Sequence, residues 1–219
     1  MLNTKGSLLI VDDESSIRIS LSHVLTDIGY SVRTAEDGFS ALAEMHDGGV
    51  PDLLISDLNM PGMSGFELLS VVRRRFPSIR TVAMSGAFSG DEVPSGVAAD
   101  AFYQKGSSLG SLLKIMQSLP QMERRAYQLC RAAEPLWFHR HGNDSSEKTS
   151  VTITCPQCLE STSLVLDGFE GMTHEVHCVH CGNSIQYEIV GLSGQTIAQA
   201  LQHNSHATNP RQNSSRFSN

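Results

Sequence analysis

Leu54-Ile55-Ser56-Asp57-Leu58-Asn59-Met60-Pro61-Gly62-Met63-Ser64-Gly65 is the stretch on which the fold turns. The apolar run Leu53-Leu54-Ile55 ends in a single carboxylate, Asp57. Asn59, Pro61, Gly62 and Gly65 follow, and these residue types build turns. A helical pattern begins at Phe66. The pattern predicts a buried strand that presents Asp57 at its C-terminal end. In open α/β sheets that edge is where ligands bind.

The flanking sequence repeats the arrangement. Leu8-Leu9-Ile10-Val11 is a continuous apolar run, as expected of a strand buried on both faces, and it ends in Asp12-Asp13-Glu14. Ile17, Leu21, Val24, Leu25 and Ile28 recur at helical spacing before Gly29, a natural helix stop. Val32 marks a second strand, and a helix around Ala41, Leu42 and Met45 stops at Gly48-Gly49. Phe66, Leu68, Leu69, Val71 and Val72 form the next helix, closed by Pro77. Ile79 to Met84 reads as a fourth strand ending at Ser85-Gly86. Ala101 to Gln104 reads as a fifth, ending at Lys105, with a last helix on Leu109, Leu112, Leu113, Ile115 and Met116. This alternation predicts a doubly wound α/β domain, a five-stranded parallel sheet with helices on both faces, over residues 1–120. Between Ala87 and Asp100, the residues Gly90, Pro94 and Gly96 oppose a long helix, so a short or irregular one is expected there.

Asp12, Asp13 and Asp57 thus meet at strand ends, with Ser85 and Lys105 on the neighbouring ones. Crowded carboxylates raise one another's pKa unless a cation neutralises them. Mg²⁺ suits such a site, because it prefers oxygen ligands and keeps waters and phosphate oxygens in its shell. A carboxylate can act as a nucleophile and form an aspartyl-phosphate, while the metal and a lysine neutralise charge on the transferring group.

These residues, in this order, resemble the receiver domain of two-component response regulators, over roughly residues 6–119. The resemblance makes Asp57 the phosphoacceptor. It makes Asp12 and Asp13 metal-site acids, with the backbone carbonyl of Asn59 as a further Mg²⁺ ligand. Ser85 becomes the switch hydroxyl, Phe102 the switch aromatic, and Lys105 the lysine that contacts the phosphoryl group. It implies a phosphoacceptor rather than a conventional enzyme, served by a histidine kinase or phosphotransfer protein. One departure stands out: Gly106 follows Lys105 where the family usually has proline. A trans bond or an unusual glycine conformation is expected there, since cis is costly for a non-proline bond.

Four of the five cysteines form two pairs, Cys155-Pro-Gln-Cys158 and Cys178-Val-His-Cys181, nineteen residues apart. Each pair reads as a tight turn flanked by strand-like sequence, and four thiolates on two such turns suit a tetrahedral Zn²⁺. Residues 150–191 resemble a zinc ribbon. So small a unit buries little core, so metal binding would supply much of its folding energy. His174, His177 and His180 read as exposed strand and turn residues, with His177 or His180 as an auxiliary ligand the alternative. Residues 121–149 read as a helical linker with Met122, Ala126, Leu129, Cys130, Ala133, Leu136 and Trp137 on one stripe. Residues 192–219 read as a polar, largely disordered tail.

At 219 residues with 40% hydrophobic content and net charge −7, the chain has room for one or two ordinary domains. No apolar run approaches the ~20 residues of a membrane span. Met1 to Gly6 is too short before the first strand for a signal peptide. A soluble, cytoplasmic protein is expected. No Lys or Arg occurs from Val151 to Pro210, so the ribbon lacks the phosphate-binding side chains that supply most nucleic-acid affinity. The expected function is a phosphorelay response regulator whose ribbon output binds a protein. One alternative is a transcription regulator that gathers linker arginines (Arg124, Arg125, Arg131, Arg140) onto DNA as a homodimer. The other is a redox or metal sensor.

Overall fold

The computed structural model describes residues 5–87, 97–119, 135–139, 149–166 and 172–190. Five parallel strands run in the order β2-β1-β3-β4-β5: β1 (Ser7–Val11), β2 (Ser31–Ala35), β3 (Leu53–Asp57), β4 (Arg80–Ser85) and β5 (Ala101–Gln104). The helices α1 (Ser15–Asp27), α2 (Gly38–Asp47), α3 (Gly65–Arg75) and α4 (Leu109–Ser118) cover both faces. The doubly wound sheet expected of residues 1–120 is therefore present. The strand order reverses between β1 and β3, and a crevice opens at such a switch point outside the carboxyl ends of the strands.

Alternation along the strands sorts the core. Leu8, Ile10, Leu53, Ile55, Val82 and Met84 face one way and pack with Leu25 of α1 and Leu112 and Met116 of α4. Leu9, Val11, Leu54 and Ala83 face the other way and pack with α2 and α3. Because every inner strand is covered on both faces, it reads as an unbroken apolar run. Helix starts are locally encoded: the side chains of Asp37, Ser64 and Ser108 accept the N–H groups of Ser40, Glu67 and Ser111.

The second half is a small β structure. β6 (Leu136–His139), β10 (Ser184–Val190) and β9 (Thr173–His177) form one sheet, with β6 parallel and β9 antiparallel to β10. β7 (Thr149–Thr154) and β8 (Ser161–Leu166) form an antiparallel pair. Leu136 and Trp137, expected on the linker helix, instead lie in a strand. Pro135 opposes helix on its N-terminal side, and Leu-Trp-Phe-His is rich in the residues that fit a pleated surface. The paired edge of β10 then supplies the missing backbone partners. The rest of the linker, Cys130, the segment around Pro94 and the tail lie outside the described residues.

Candidate functional site

Parallel register brings the acids together. Val11 of β1 lies opposite Ser56 of β3, and Ser85 of β4 lies opposite Gln104 of β5. The residues one step further on are Asp12, Asp57 and Lys105. Oxygens of Asp12, Asp13 and Asp57 lie within 4.8 Å of one another. The Lys105 Nζ sits 2.9 Å from Asp12 Oδ2 and 3.1 Å from Asp57 Oδ2, with Glu14 Oε1 at 4.0 Å. Asp12 and Asp57 are buried and Asp13 is exposed, so the pocket has a closed floor and one open rim.

Each buried acid has one oxygen fixed by the backbone. Asp57 Oδ1 accepts the Leu58 N–H at 2.9 Å, and Asp12 Oδ1 accepts the Glu14 N–H at 2.9 Å. Their Oδ2 atoms both turn to the Lys105 ammonium. Burial pushes the Asp57 carboxyl above its ordinary pKa; Lys105 opposes that shift, and the neighbouring Asp12 adds to it. Burial alone would lower Lys105, but its contacts with Asp12 and Asp57 outweigh that and hold it above its ordinary value. Three carboxylates within 4.8 Å of one another against a single ammonium, with one open rim, make an all-oxygen donor set that fits a hard divalent cation.

The other expected residues lie on β4, on β5 and in the loop after β3. Ser85 is fully buried; its hydroxyl accepts the Ala87 N–H at 3.1 Å, and its carbonyl accepts the Lys105 N–H at 2.9 Å. Phe102 is half-buried beside the α2–α3 core and opposite Ala83. Asn59 is exposed in the loop after β3. Gly106 adopts φ 87°, a left-handed conformation favouring glycine, and no cis bond occurs among the described residues. The glycine thus delivers Lys105 to the acids by another backbone route than proline would take.

Two residues were not singled out from the sequence. Arg18 of α1 donates from Nη1 to the carbonyls of Asp12 (2.5 Å) and Asp13 (3.0 Å), clamping the loop that carries both acids. Its position one turn into α1 was the available signal. Glu67 is 3% exposed, and burial drives its carboxyl up to about 8 against the opposing Thr154 N–H. Its signal was a lone acid inside the apolar run Phe66–Val72.

The four paired cysteines also converge. Their sulfurs lie within 4.8 Å of one another; Cys155 Sγ is 3.7 Å from Cys181 Sγ, and Cys158 Sγ is 3.6 Å from Cys178 Sγ. A disulfide needs about 2.05 Å, whereas a tetrahedron of thiolates about 2.3 Å from zinc has edges of about 3.8 Å. The donor set fits zinc. Both turns are built alike. Leu159 and Gly182, each four residues after the first cysteine of its pair, take φ of 62° and 72°. Each returns its N–H to that cysteine's carbonyl at 2.8 Å. Burial raises the Cys155 thiol and pushes Cys158 up to about 12. Burial also opposes ionisation of Cys178, but N–H groups of Cys181 and His180 and the neighbouring thiols bring it down to about 6. His177 and His180 are exposed and outside the sulfur cluster, and the His174 ring stacks on Tyr187 at 5.3 Å.

Comparison with known proteins matches residues 8–116 to the family described as response regulator receiver domain. The DNA-binding transcriptional regulator NtrC of Salmonella typhimurium is 36% identical over 103 residues, 47% of this chain and 20% of NtrC. The chemotaxis protein CheY of Pseudomonas aeruginosa is 45% identical over 67 residues, 30% of this chain and 53% of CheY. Among solved structures, CheY4 of Vibrio cholerae is 36% identical, with 53% of this chain and all of CheY4 covered, at a TM-score of 0.49. The chain thus spans one fifth of the NtrC length, and the family match ends before the cysteines. No helix among the described residues is long and apolar enough to cross a membrane.

Proposed function

We propose that this chain, whose residues 8–116 are a response regulator receiver domain, accepts a phosphoryl group on Asp57 from a histidine kinase and reports it through its cysteine module. The observation that supports Asp57 most directly is its placement. It is a nearly fully buried carboxylate with one oxygen tied to the Leu58 N–H and the other held 3.1 Å from the Lys105 ammonium, at the open edge of a switch point. In the transfer, a carboxylate oxygen of Asp57 forms the new P–O bond as the donor's P–N bond breaks, and the imidazole leaves with the electron pair. Lys105 takes up charge on the phosphoryl oxygens. Receiver domains bind Mg²⁺ at an acidic pocket of this kind; here Asp12, Asp13 and Asp57, with the Asn59 carbonyl, would hold it, and it would neutralise the transferring group. The product adds roughly −1.5 to −2 charges, as other phosphorylated side chains do. Ser85 is the hydroxyl that turns to the new oxygens, and Phe102 is the aromatic that moves behind it.

Cys155, Cys158, Cys178 and Cys181 are the ligands of a structural Zn²⁺, because all four positions are sulfur and none is left open for substrate. The module recognises a protein: it carries no Lys or Arg from Val151 to Pro210, which disfavours a DNA output. Incubation with acetyl phosphate and Mg²⁺, followed by mass spectrometry of the intact chain, tests the assignment. One added phosphoryl group is expected for the native chain and none for Asp57→Ala. Labelling of the Ala variant would refute it. Metal analysis of the purified chain should return one zinc, lost in a Cys155→Ser, Cys178→Ser double variant.

A further inference from the structure

α3 is buried all round. Every residue from Gly65 to Val72 is buried, whereas a helix on one face of an open sheet normally keeps its outer stripe in water. The cysteine module covers that stripe. β6 packs on α3, and Leu136, Trp137, Cys155 and Cys178 belong to the same apolar cluster as Leu68 and Val72. A polar approach crosses the junction as well: the backbone N–H of Thr154, the residue before the first cysteine ligand, lies near enough to the Glu67 carboxyl to favour its ionised form. Thr154 is free to make it because the next N–H, of Cys155, points the other way and bonds the Glu160 carbonyl at 3.0 Å.

The same helix starts at the phosphoacceptor. The Gly65 N–H bonds the Leu58 carbonyl at 3.0 Å, and Leu58 follows Asp57. Met60 and Met63, in the loop between β3 and α3, are buried in the cluster that holds the cysteines. A short, packed route therefore runs from Asp57 through Leu58, Gly65, Glu67 and Thr154 to Cys155.

We propose that α3 is the docking surface of the cysteine module within its own chain, and that the Glu67–Thr154 contact couples the four-sulfur site to the acidic pocket. The inference rests on the reading of Asp57 as phosphoacceptor and of the cysteines as a zinc site. The docked arrangement is that of the unmodified chain. Charge added at Asp57 repacks the loop that begins α3, and a packed junction answers by shifting between arrangements rather than deforming smoothly. Phosphorylation therefore loosens the grip on zinc. By linkage, bound zinc opposes the phosphorylated state by the same factor.

The test measures the zinc affinity of the full chain by equilibrium competition with a chromogenic chelator, with and without Mg²⁺ and beryllofluoride as the phosphoryl mimic. A zinc affinity at least about fivefold weaker with beryllofluoride is expected, the low end of ordinary coupling. Glu67→Gln, which keeps a neutral acceptor for the Thr154 N–H, should retain the difference, and Glu67→Leu should lose it. Equal zinc affinities in a native chain that binds zinc and is phosphorylated overturn the coupling alone. A chain that binds no zinc, or gains no phosphoryl group from acetyl phosphate, overturns the proposed function and the coupling with it.

Discussion

Lys105 bears the heaviest electrostatic duty in the acidic pocket, because it is the cation that opposes the effect of burial on Asp57. Replacing it with methionine keeps the stem and removes the charge. The Asp57 carboxyl should then titrate higher still, read by carboxyl carbon NMR, and labelling by acetyl phosphate should slow by about a hundredfold or more, the range expected when a charge-stabilising group is lost. An Asp57 that does not move would deny Lys105 this role. Glu67 gives a second titration. Its folded value of about 8 lies above its ordinary 4.5, so the native state holds this proton more tightly than the unfolded chain. Its contribution is complete below pH 4.5, declines as pH rises, and is lost by about pH 8. Relative to Glu67→Gln, the native chain should therefore lose stability between pH 5 and pH 8, by at most about 1.4 kcal/mol per pH unit, and no more above that. Urea midpoints of the two zinc-loaded proteins at both pH values measure it.

Gly65 shows how narrowly α3 is seated on the strand that carries Asp57. A Cβ at this position would lie 1.8 Å from the Asp57 carbonyl oxygen and 2.7 Å from its carbon. Backbone cannot yield as a side-chain tip can, so Gly65→Ala should cost about 3 kcal/mol or more, seen as a lowered urea midpoint. Gly110 in α4 is the contrast: its added Cβ would meet nothing nearer than Ser108 Oγ at 3.8 Å. Gly110→Ala should gain up to about 0.5–1 kcal/mol from helix propensity and a less free unfolded chain. The strand β6 makes the opposite point about elements. Its four residues could not have been assigned from their own spacing, because the partner that makes them a strand, β10, lies some fifty residues further along the chain.

Across the whole molecule, the receiver sheet and the cysteine module share one apolar cluster. The four-sulfur cluster therefore bears on the receiver as well as on its own turns. On the proposed zinc reading, a chelator would remove the crosslink that holds the two cysteine turns together and loosen the wall over α3. Amides of α3 should then lose hydrogen-exchange protection, while those of α1, packed on the other face of the sheet with Leu8 and Ile10, should keep theirs. Equal protection of α3 with and without chelator would show that the wall stands without metal.

Much of this protein was legible in its residues because the signals are local. Apolar runs ending in Asp12 and Asp57, a Ser85 and a Lys105 closing later strands, and two Cys-x-x-Cys turns each specify their own piece of backbone. The alternation of strand and helix then leaves few ways to arrange those pieces. Tertiary structure alone decided what touches what at long range. It placed the cysteine module on α3, made a strand of Leu136 and Trp137, buried Glu67 against Thr154 and turned Arg18 onto the acid-bearing loop. The physical reason is that strand ends and turns are set by neighbours in sequence. The burial of a helix on its second face depends instead on surface brought from far along the chain, and no periodicity within α3 says which surface that will be.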